Sequence, residues 1–200
     1  MIIGVDFDNT IVCYDKLFHK IAVEKGVIPK DIPKIKDVIR NYLRKHGKED
    51  AWTELQGFVY GPGTLNAKPF VGVLDFFMHC NKNKDKTYII SHKTIHPFLG
   101  SKYNLHEFAH KWLEKQGFYD SGKTGLSKEN VFFELTKEEK LDRITKQGCT
   151  WYIDDLPEFL TEKNFPEKVN RILFDPNLRY KNTDNFERVE SWKQITEKIK

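Results

Sequence analysis

Apolar residues recur along the chain in five short, nearly continuous runs, and between the runs they are spaced three and four residues apart. Short continuous runs predict strands that are buried on both faces, and the wider spacing predicts helices. The runs are IIGVDFD (2–8), TYIIS (87–91), NVFFE (130–134), TWYIDD (150–155) and RILFD (171–175). The predicted helices cover 71–80, 104–116, 136–147, 156–163 and 191–199. Because strands and helices alternate, the sequence predicts a doubly wound α/β fold with a parallel sheet and right-handed crossovers.

A long segment separates the first predicted strand from the second. Residues 14–70 contain two amphipathic stretches, YDKLFHKIAVEKG and DIPKIKDVIRNYLRKHG, followed by WTELQGFVYGPGTLNAKPF. A structureless loop of this length is uncommon, so the pattern predicts a helical insertion. We expect a small α-helical cap over 14–70 on a Rossmann-like core formed by 1–13 and 71–200. The glycine-rich return of the cap predicts a hinge at Gly57, Gly61, Pro62 and Gly63.

The amino-acid composition limits the classes of protein to which the chain can belong. Apolar residues make up 39% and aromatic residues 14%, which is typical of a globular chain. Asp6 and Asp8 interrupt the first apolar run, which argues against a signal peptide, and no run is long enough for a membrane span. The three cysteines are widely spaced and indicate a reducing compartment. We expect a cytoplasmic protein without a membrane partner, and the mild net charge of +4 argues against nucleic acid as a partner.

Polar side chains follow every predicted strand. In an open parallel sheet, ligands bind beyond the carboxyl ends of the strands. Acidic residues there also cap helices and form turns, and this explanation is adequate for Glu134 and Asp175. It does not explain Asp6, which lies inside an apolar run, or the adjacent pair Asp154 and Asp155. These carboxylates predict a functional site at that edge of the sheet.

The stretch DFDNT, which contains Asp6, Asp8 and Thr10, resembles the D-x-D-x-T signature of the haloacid dehalogenase (HAD) superfamily. Three further signatures of that superfamily follow in order. Ser91 ends a strand in YIISHKT, Lys140 lies near a helix start in TKEEKLDRI, and YIDDLPEFL supplies the acidic pair. The resemblance extends over about residues 1–175.

The resemblance implies a Mg²⁺-dependent phosphomonoester hydrolase that works through an aspartyl-phosphate on a small phosphorylated metabolite. Asp6 would be the nucleophile, Asp8 the general acid and base, and Lys140 the cation that keeps Asp6 ionised. Thr10 and Ser91 would contact the phosphoryl group. Mg²⁺ would be held by Asp6, Asp8, Asp154 and Asp155.

Several alternatives stay open at the level of sequence. Lys137 lies one turn from Lys140 and is the other candidate for the site lysine. His92 and Lys93 either contact the substrate or point to water. The superfamily also includes phosphonatases and dehalogenases, among which Asp8 favours ester hydrolysis. A nucleic-acid 3′-end phosphatase and a non-catalytic regulatory protein are the alternative functions.

Two other motif matches carry less weight. GFYDSGKT (117–124) fits the phosphate-binding pattern G-x-x-x-x-G-K-[ST], but a helix is predicted before it and a strand after it, the reverse of that motif. HEFAH (106–110) fits a zinc-protease helix, but no later histidine supplies a third ligand. The aromatic residues Trp52, Phe58 and Tyr60 of the expected cap either contact substrate or pack in a core.

Overall fold

A computed structural model describes residues 1–181, 183 and 185–199. The chain forms two compact units. The first unit contains Met1–Val12, Pro69–Lys93 and the chain from Gln116 onward. The second unit contains Cys13–Lys68 and Thr94–Lys115.

The first unit is built on a parallel sheet. The strands of the chain are β1 (Ile2–Val5), β2 (Val12–Cys13), β3 (Lys68–Pro69), β4 (Lys86–His92), β5 (Val131–Glu134), β6 (Trp151–Asp154), β7 (Asn170–Phe174) and β8 (Glu187–Val189). Six of them form one sheet in the order β5-β4-β1-β6-β7-β8, with every neighbouring pair parallel. The order reverses beside β1, which is the doubly wound arrangement. The predicted fold class is confirmed.

The helices alternate with these strands in the first unit and make up most of the second. They are α1 (Asp15–Glu24), α2 (Lys36–Lys45), α3 (Glu49–Tyr60), α4 (Val73–Lys82), α5 (Leu105–Lys115), α6 (Ser121–Thr124), α7 (Lys137–Lys146), α8 (Pro157–Leu160) and α9 (Trp192–Lys198). Short 3-10 helices cover Pro62–Asn66 and Lys128–Asn130. None of the helices in the described residues has the length and apolar character that crossing a bilayer requires.

Apolar side chains cover both faces of the sheet. On one face, Ile144 of α7 packs in a cluster with Tyr152 and Leu173. On the other, Trp192 of α9 contacts the ring of Phe174 at a centroid distance of 5.7 Å. Neighbouring residues of β7 thus serve opposite faces, as the alternation of a strand requires. This double coverage explains the nearly continuous apolar runs.

Two elements differ from the sequence prediction. The helix predicted over 156–163 ends at Leu160, whose carbonyl accepts a hydrogen bond of 2.8 Å from the guanidinium of Arg171. A continued helix would use that carbonyl for its own ladder. The edge strand β8 was not predicted, because its three residues Glu187–Val189 include two charges and too little apolar sequence.

The second unit has a helical core of its own. Phe18 stacks on Trp52 with ring centroids 5.1 Å apart, and Tyr60 meets Phe18 edge-on at 5.6 Å. Phe58 lies edge-on to Tyr103. The aromatic residues considered as substrate contacts therefore pack against other rings of this unit.

The division of the chain differs from the predicted one at residues 94–115. The sequence analysis assigned them to the core, whereas the structure groups them with the second unit. The indole Nε1 of Trp112 in α5 donates a 3.0 Å hydrogen bond to the carbonyl of Ala67, and Lys115 donates one of 2.8 Å to that of Leu65. Segment 94–115 is therefore bonded to the end of segment 13–68.

The glycines of the expected hinge lie inside the second unit and are closely packed. A Cβ on Gly61 would come within 2.8 Å of the carbonyl oxygen of Gly57, and one on Gly63 within 2.9 Å of that of Phe58. The boundary between the units falls after Lys68 instead. The structure thus gives these glycines a packing role, and the boundary lies two residues before the predicted end of the cap at residue 70.

Candidate active site

The turn that follows β1 positions the first two carboxylates. The amides of Ile11 and Val12 donate to the carbonyl of Phe7, so the chain reverses tightly. Asn9 has φ of 62°, in the left-handed region that asparagine tolerates better than most residues. This turn directs Asp6 and Asp8 away from the strand while Phe7 stays fully buried between them.

Asp6 is the centre of a buried hydrogen-bond cluster. Its Oδ1 accepts 2.8 Å from the Ser91 hydroxyl and 2.7 Å from the ammonium of Lys140. The same ammonium donates 2.7 Å to Oδ2 of Asp154, whose Oδ1 accepts from the amide of Leu156. Because β4, β1 and β6 are neighbours, their carboxyl ends bring these side chains together.

The position of Lys140 depends on a capped helix. Thr136 begins α7 with a capping box, in which its hydroxyl accepts from the amide of Glu139 and the Glu139 carboxylate accepts from the Thr136 amide. Lys140, one turn in, is 3% exposed, and its Nζ lies 4.0 Å from the ring centroid of Phe159. Lys137 is partly exposed on the same helix and faces Glu162 at 3.4 Å. The structure thus places Lys140, and not Lys137, at Asp6.

In this cluster, burial and the oppositely charged neighbours shift the pKa values of Asp6 and Lys140 in opposite directions. The pKa of Asp6 is raised to about 7, mainly because the carboxyl group is buried. The charge of Lys140 lowers this pKa, and the charge of Asp154 raises it further. Burial lowers the pKa of Lys140, but the carboxylates of Asp154 and Asp6 more than offset this, so that its pKa is raised. Lys140 therefore stays protonated.

Lys93 forms a second buried ion pair. It is 4% exposed, and its Nζ donates 2.7 Å to Oδ2 of Asp8. The sequence left it open whether His92 and Lys93 face the site. Strand alternation could have answered this, because Ser91 and Lys93 share one side and His92 the other. His92 is exposed and hydrogen bonds at 3.0 Å with the carbonyl of Leu135.

Three of the four carboxylates predicted as metal ligands lie close enough to share a cation, and Asp8 is not in this group. One ligand atom from each of Asp6, Asp154 and Asp155 lies within 4.8 Å of the other two. The ammonium of Lys140 bonds to two of these carboxylates, Asp6 and Asp154, and a divalent cation would complement further negative charge of the set. An all-oxygen donor set suits Mg²⁺, Ca²⁺ or Mn²⁺ better than zinc. The residues present therefore fit the expected magnesium ion.

The remaining positions from the sequence analysis, Thr10, Glu134 and Asp175, form hydrogen bonds with the surrounding structure. Thr10 is fully buried, and its carbonyl accepts 3.2 Å from the indole of Trp192, while its hydroxyl has no partner among the described residues. Glu134 accepts 2.6 Å from Arg143. Asp175 accepts from the amides of Arg179 and Tyr180, as the turn explanation expected.

The two discounted motifs are not assembled as binding sites. In GFYDSGKT, Thr124 donates to the carbonyls of Phe118 and Asp120, and Lys123 pairs with Asp120 at 2.8 Å. The motif follows α5 and lies on the four-residue helix α6, with no strand directly before it. In the described part of the chain, His106 and His110 belong to no group of three potential metal ligands.

Solved structures resemble this chain over nearly its whole length. A haloacid dehalogenase-like family hydrolase from Xanthomonas campestris is 9% identical, with a TM-score of 0.56 and coverage of 100% of this chain and 94% of that one. The chain has the HAD fold. A HAD-superfamily hydrolase from Ehrlichia chaffeensis is 14% identical, with a TM-score of 0.53 and coverage of 98% and 94%. A dehalogenase is 8% identical, with a TM-score of 0.56 and coverage of 98% and 96%.

The HAD fold is thus established by structure rather than by sequence. No protein-family model matches the sequence, and no curated protein matches it either. Both a dehalogenase and hydrolases of the superfamily share the fold, so the fold does not select the reaction. That choice depends on the residues around Asp6.

Proposed function

We propose that this protein is a Mg²⁺-dependent phosphomonoester hydrolase that acts on small phosphorylated metabolites through a phosphoryl group on Asp6. The observation that supports it is that two carboxylates, two residues apart in the chain, have different partners. Asp6 is buried and bonded to Ser91 and Lys140, whereas Asp8 is partly exposed and bonded to Lys93. Different surroundings suit different chemical roles.

In the first half of the proposed reaction, a carboxylate oxygen of Asp6 attacks phosphorus and the bond from phosphorus to the leaving oxygen breaks. Asp8 gives its proton to that oxygen. Lys140 and Ser91 stabilise the charge on the phosphoryl oxygens. Mg²⁺, held by Asp6, Asp154 and Asp155, would neutralise phosphate charge as phosphate approaches the carboxylates.

In the second half, water attacks the phosphorus of phosphorylated Asp6. Asp8, now ionised, accepts a proton from the water, and the bond between Asp6 and phosphorus breaks. Inorganic phosphate leaves and Asp8 is again protonated, so the cycle closes without another reactant. Lys93 orients the Asp8 side chain, which is a carboxylic acid in the first transfer and a carboxylate in the second.

The role given to Asp8 favours phosphate esters over haloacids as substrates. A halide leaves without a proton, so a dehalogenase has no use for an acid two residues after its nucleophile. An alkoxide leaving group does need that proton. The buried position of Asp6, with 5% of its surface exposed, favours a substrate with a slender phosphate end.

The proposal is tested with an aryl phosphate, first with Mg²⁺ and then with a chelator. We expect turnover with Mg²⁺ and none after chelation. Asp6→Asn should be inactive, whereas Asp8→Asn should accept one phosphoryl group from an activated aryl phosphate and then stall. Rapid quenching and intact-mass measurement would show the added group in Asp8→Asn alone. A phosphorylated Asp6→Asn protein, or normal turnover by Asp8→Asn, would reject these roles.

A further inference from the structure

A basic pocket of about 420 Å³ lies within the second unit. One wall is a face of α1 with Lys16, His19, Lys20 and Val23, where Lys16 lies three and four residues before His19 and Lys20, and Val23 lies three and four residues after Lys20 and His19. Lys16 and Lys20 are exposed at the rim, and His19 is buried at 8% exposure. We call this set, with the residues of the opposite wall, the lysine pocket.

The opposite wall is the connection between α1 and α2. It is fixed at both ends, because the amide of Val27 donates to the carbonyl of Ala22 and the amide of Lys36 donates 2.9 Å to the carboxylate of Asp15. The fixed ends return the connection alongside α1. Lys30 and Lys34 thereby complete the lining of the pocket.

The charge of the lysine pocket is largely uncompensated. Four lysines line it together with one carboxylate, that of Glu24, which lies 3.8 Å from Lys20. Within the described residues, no carboxylate comes within 4.0 Å of the ammonium of Lys16, Lys30 or Lys34. The surrounding sequence 13–48 is also basic, with ten lysines and arginines against four aspartates and glutamates. Such local repulsion destabilises the unit unless an anion offsets it.

His19 provides an independent observation. Its Nε2 is buried and has no hydrogen-bond partner among the described residues. A buried ring nitrogen without a partner is costly and rare in folded proteins. Since His19 lines the same pocket as the lysines, an anionic oxygen bound there would supply the missing partner.

We propose that the lysine pocket binds an anion with two or more linked phosphates. Ammonium groups are common phosphate ligands, and the pocket has the volume of a small-ligand site rather than of a single ion. A chain of phosphates matches several lysines at once, whereas one phosphate would leave some of them unpaired. The site is separate from Asp6 and its partners and does not depend on the proposed hydrolase activity.

The test is a calorimetric titration of the full chain with tripolyphosphate, at low ionic strength and with a chelator present. Without a metal, the carboxylates around Asp6 repel phosphate, so binding reports on the lysine pocket. We expect one ligand per chain. The variant Lys16→Gln/Lys34→Gln should bind about tenfold more weakly or worse, because two charge-assisted contacts are lost.

The matched control removes the same charge elsewhere in the unit. Lys45 and Lys102 are exposed and do not line the pocket, so Lys45→Gln/Lys102→Gln should change the affinity by less than about twofold. Equal losses in the two double variants would mean that general electrostatics holds the anion, and would overturn the proposal. Absence of binding to the unchanged chain would overturn it as well.

His19→Leu separates ligation from packing. Without ligand, we expect the variant to unfold at the same temperature as the unchanged chain or higher, because an unpartnered nitrogen is removed. Tripolyphosphate should raise the unfolding temperature of the variant much less than that of the unchanged chain. A lower unfolding temperature with an unchanged increase would overturn the role of His19. Sulfate and a short single-stranded oligonucleotide are the comparison ligands. Binding of sulfate as tight as that of tripolyphosphate would overturn the requirement for linked phosphates, and tighter binding of the oligonucleotide would identify a nucleic-acid backbone as their source.

Discussion

Asp6 shares the ammonium of Lys140 with Asp154, and the burial of Asp6 raises its pKa from 3.8 to about 7. A carboxyl with a raised native pKa binds its proton more tightly in the folded state than in the unfolded state. Its contribution to stability is therefore fully present below about pH 4 and is lost as the pH rises through about 7. Without metal, the folded protein should lose stability over that range.

Asp6→Asn should remove most of this pH dependence. At about pH 8, the metal-free variant is expected to be more stable than the unchanged protein by on the order of 1–3 kcal/mol, because the buried negative charge is gone. At about pH 5 the difference should be smaller. Thermal unfolding in the presence of a chelator at both pH values measures it. Parallel pH profiles for the two proteins would contradict the assignment of the shift to Asp6.

Lys93→Met should lower turnover of an aryl phosphate by roughly ten- to a hundredfold, because Asp8 loses the group that orients it. Most of the loss should appear in kcat. Lys137→Met, at a partly exposed lysine that bonds to Glu162, is the control and should keep activity within about twofold. Equal activity of both variants would show that the ion pair of Lys93 with Asp8 has no part in the reaction.

The sequence was sufficient to predict that Asp6, Ser91, Lys140 and Asp154 lie close together, since each lies at the end of a buried strand or at the start of a helix. It did not predict the partner of Asp8. That contact depends on how far Lys93 extends past β4 and on the turn at Asn9, which are properties of three-dimensional packing rather than of pattern.

Among the elements, β1 lies near the centre of the sheet, between β4 and β6. Gly4 of β1 pairs with Tyr152 of β6, and a Cβ there would come within 2.7 Å of the Tyr152 ring. That ring is held by a 2.5 Å hydrogen bond from its hydroxyl to the carbonyl of Ile90, so it cannot move freely. The glycine thus lets an aromatic side chain cross the middle of the sheet.

Gly4→Ala should destabilise the protein by about 1–3 kcal/mol through overpacking. Gly122→Ala is the matched control, because Gly122 lies in α6 with its nearest contact at 3.5 Å. That change should be neutral or slightly stabilising. Denaturant unfolding of both variants measures the difference. A Gly4→Ala protein as stable as the control would show that Tyr152 can move aside.

Element boundaries were less predictable than element order. The sequence placed the central strands well, because buried apolar runs are distinctive. It overextended α8, which the tertiary hydrogen bond of Arg171 ends, and missed β8, which pairs only at the edge. Neither outcome is encoded in local periodicity.

For the whole molecule, the division into two units predicts how the chain can be shortened. Replacing only 13–68 by a short linker should leave α5 without the partners of Trp112 and Lys115, and the product should aggregate. Replacing both 13–68 and 94–115 should leave a first unit that unfolds cooperatively. Circular dichroism during heating distinguishes the two outcomes. A folded product from the single replacement would mean that 94–115 belongs with the sheet, as the sequence suggested.

The central position of β1 also bears on how the protein is made. Its residues are synthesised before those of its partners, since they pair with Lys86–Ile89 and with Trp151–Ile153, which follow much later in the chain. Contacts between such distant segments form slowly, whereas helices of neighbouring sequence form quickly. We therefore expect the helical stretch 13–68 to gain structure during synthesis before β1, which Asp6 directly follows, pairs with its neighbours. Asp6 would then be among the last residues to reach its native surroundings.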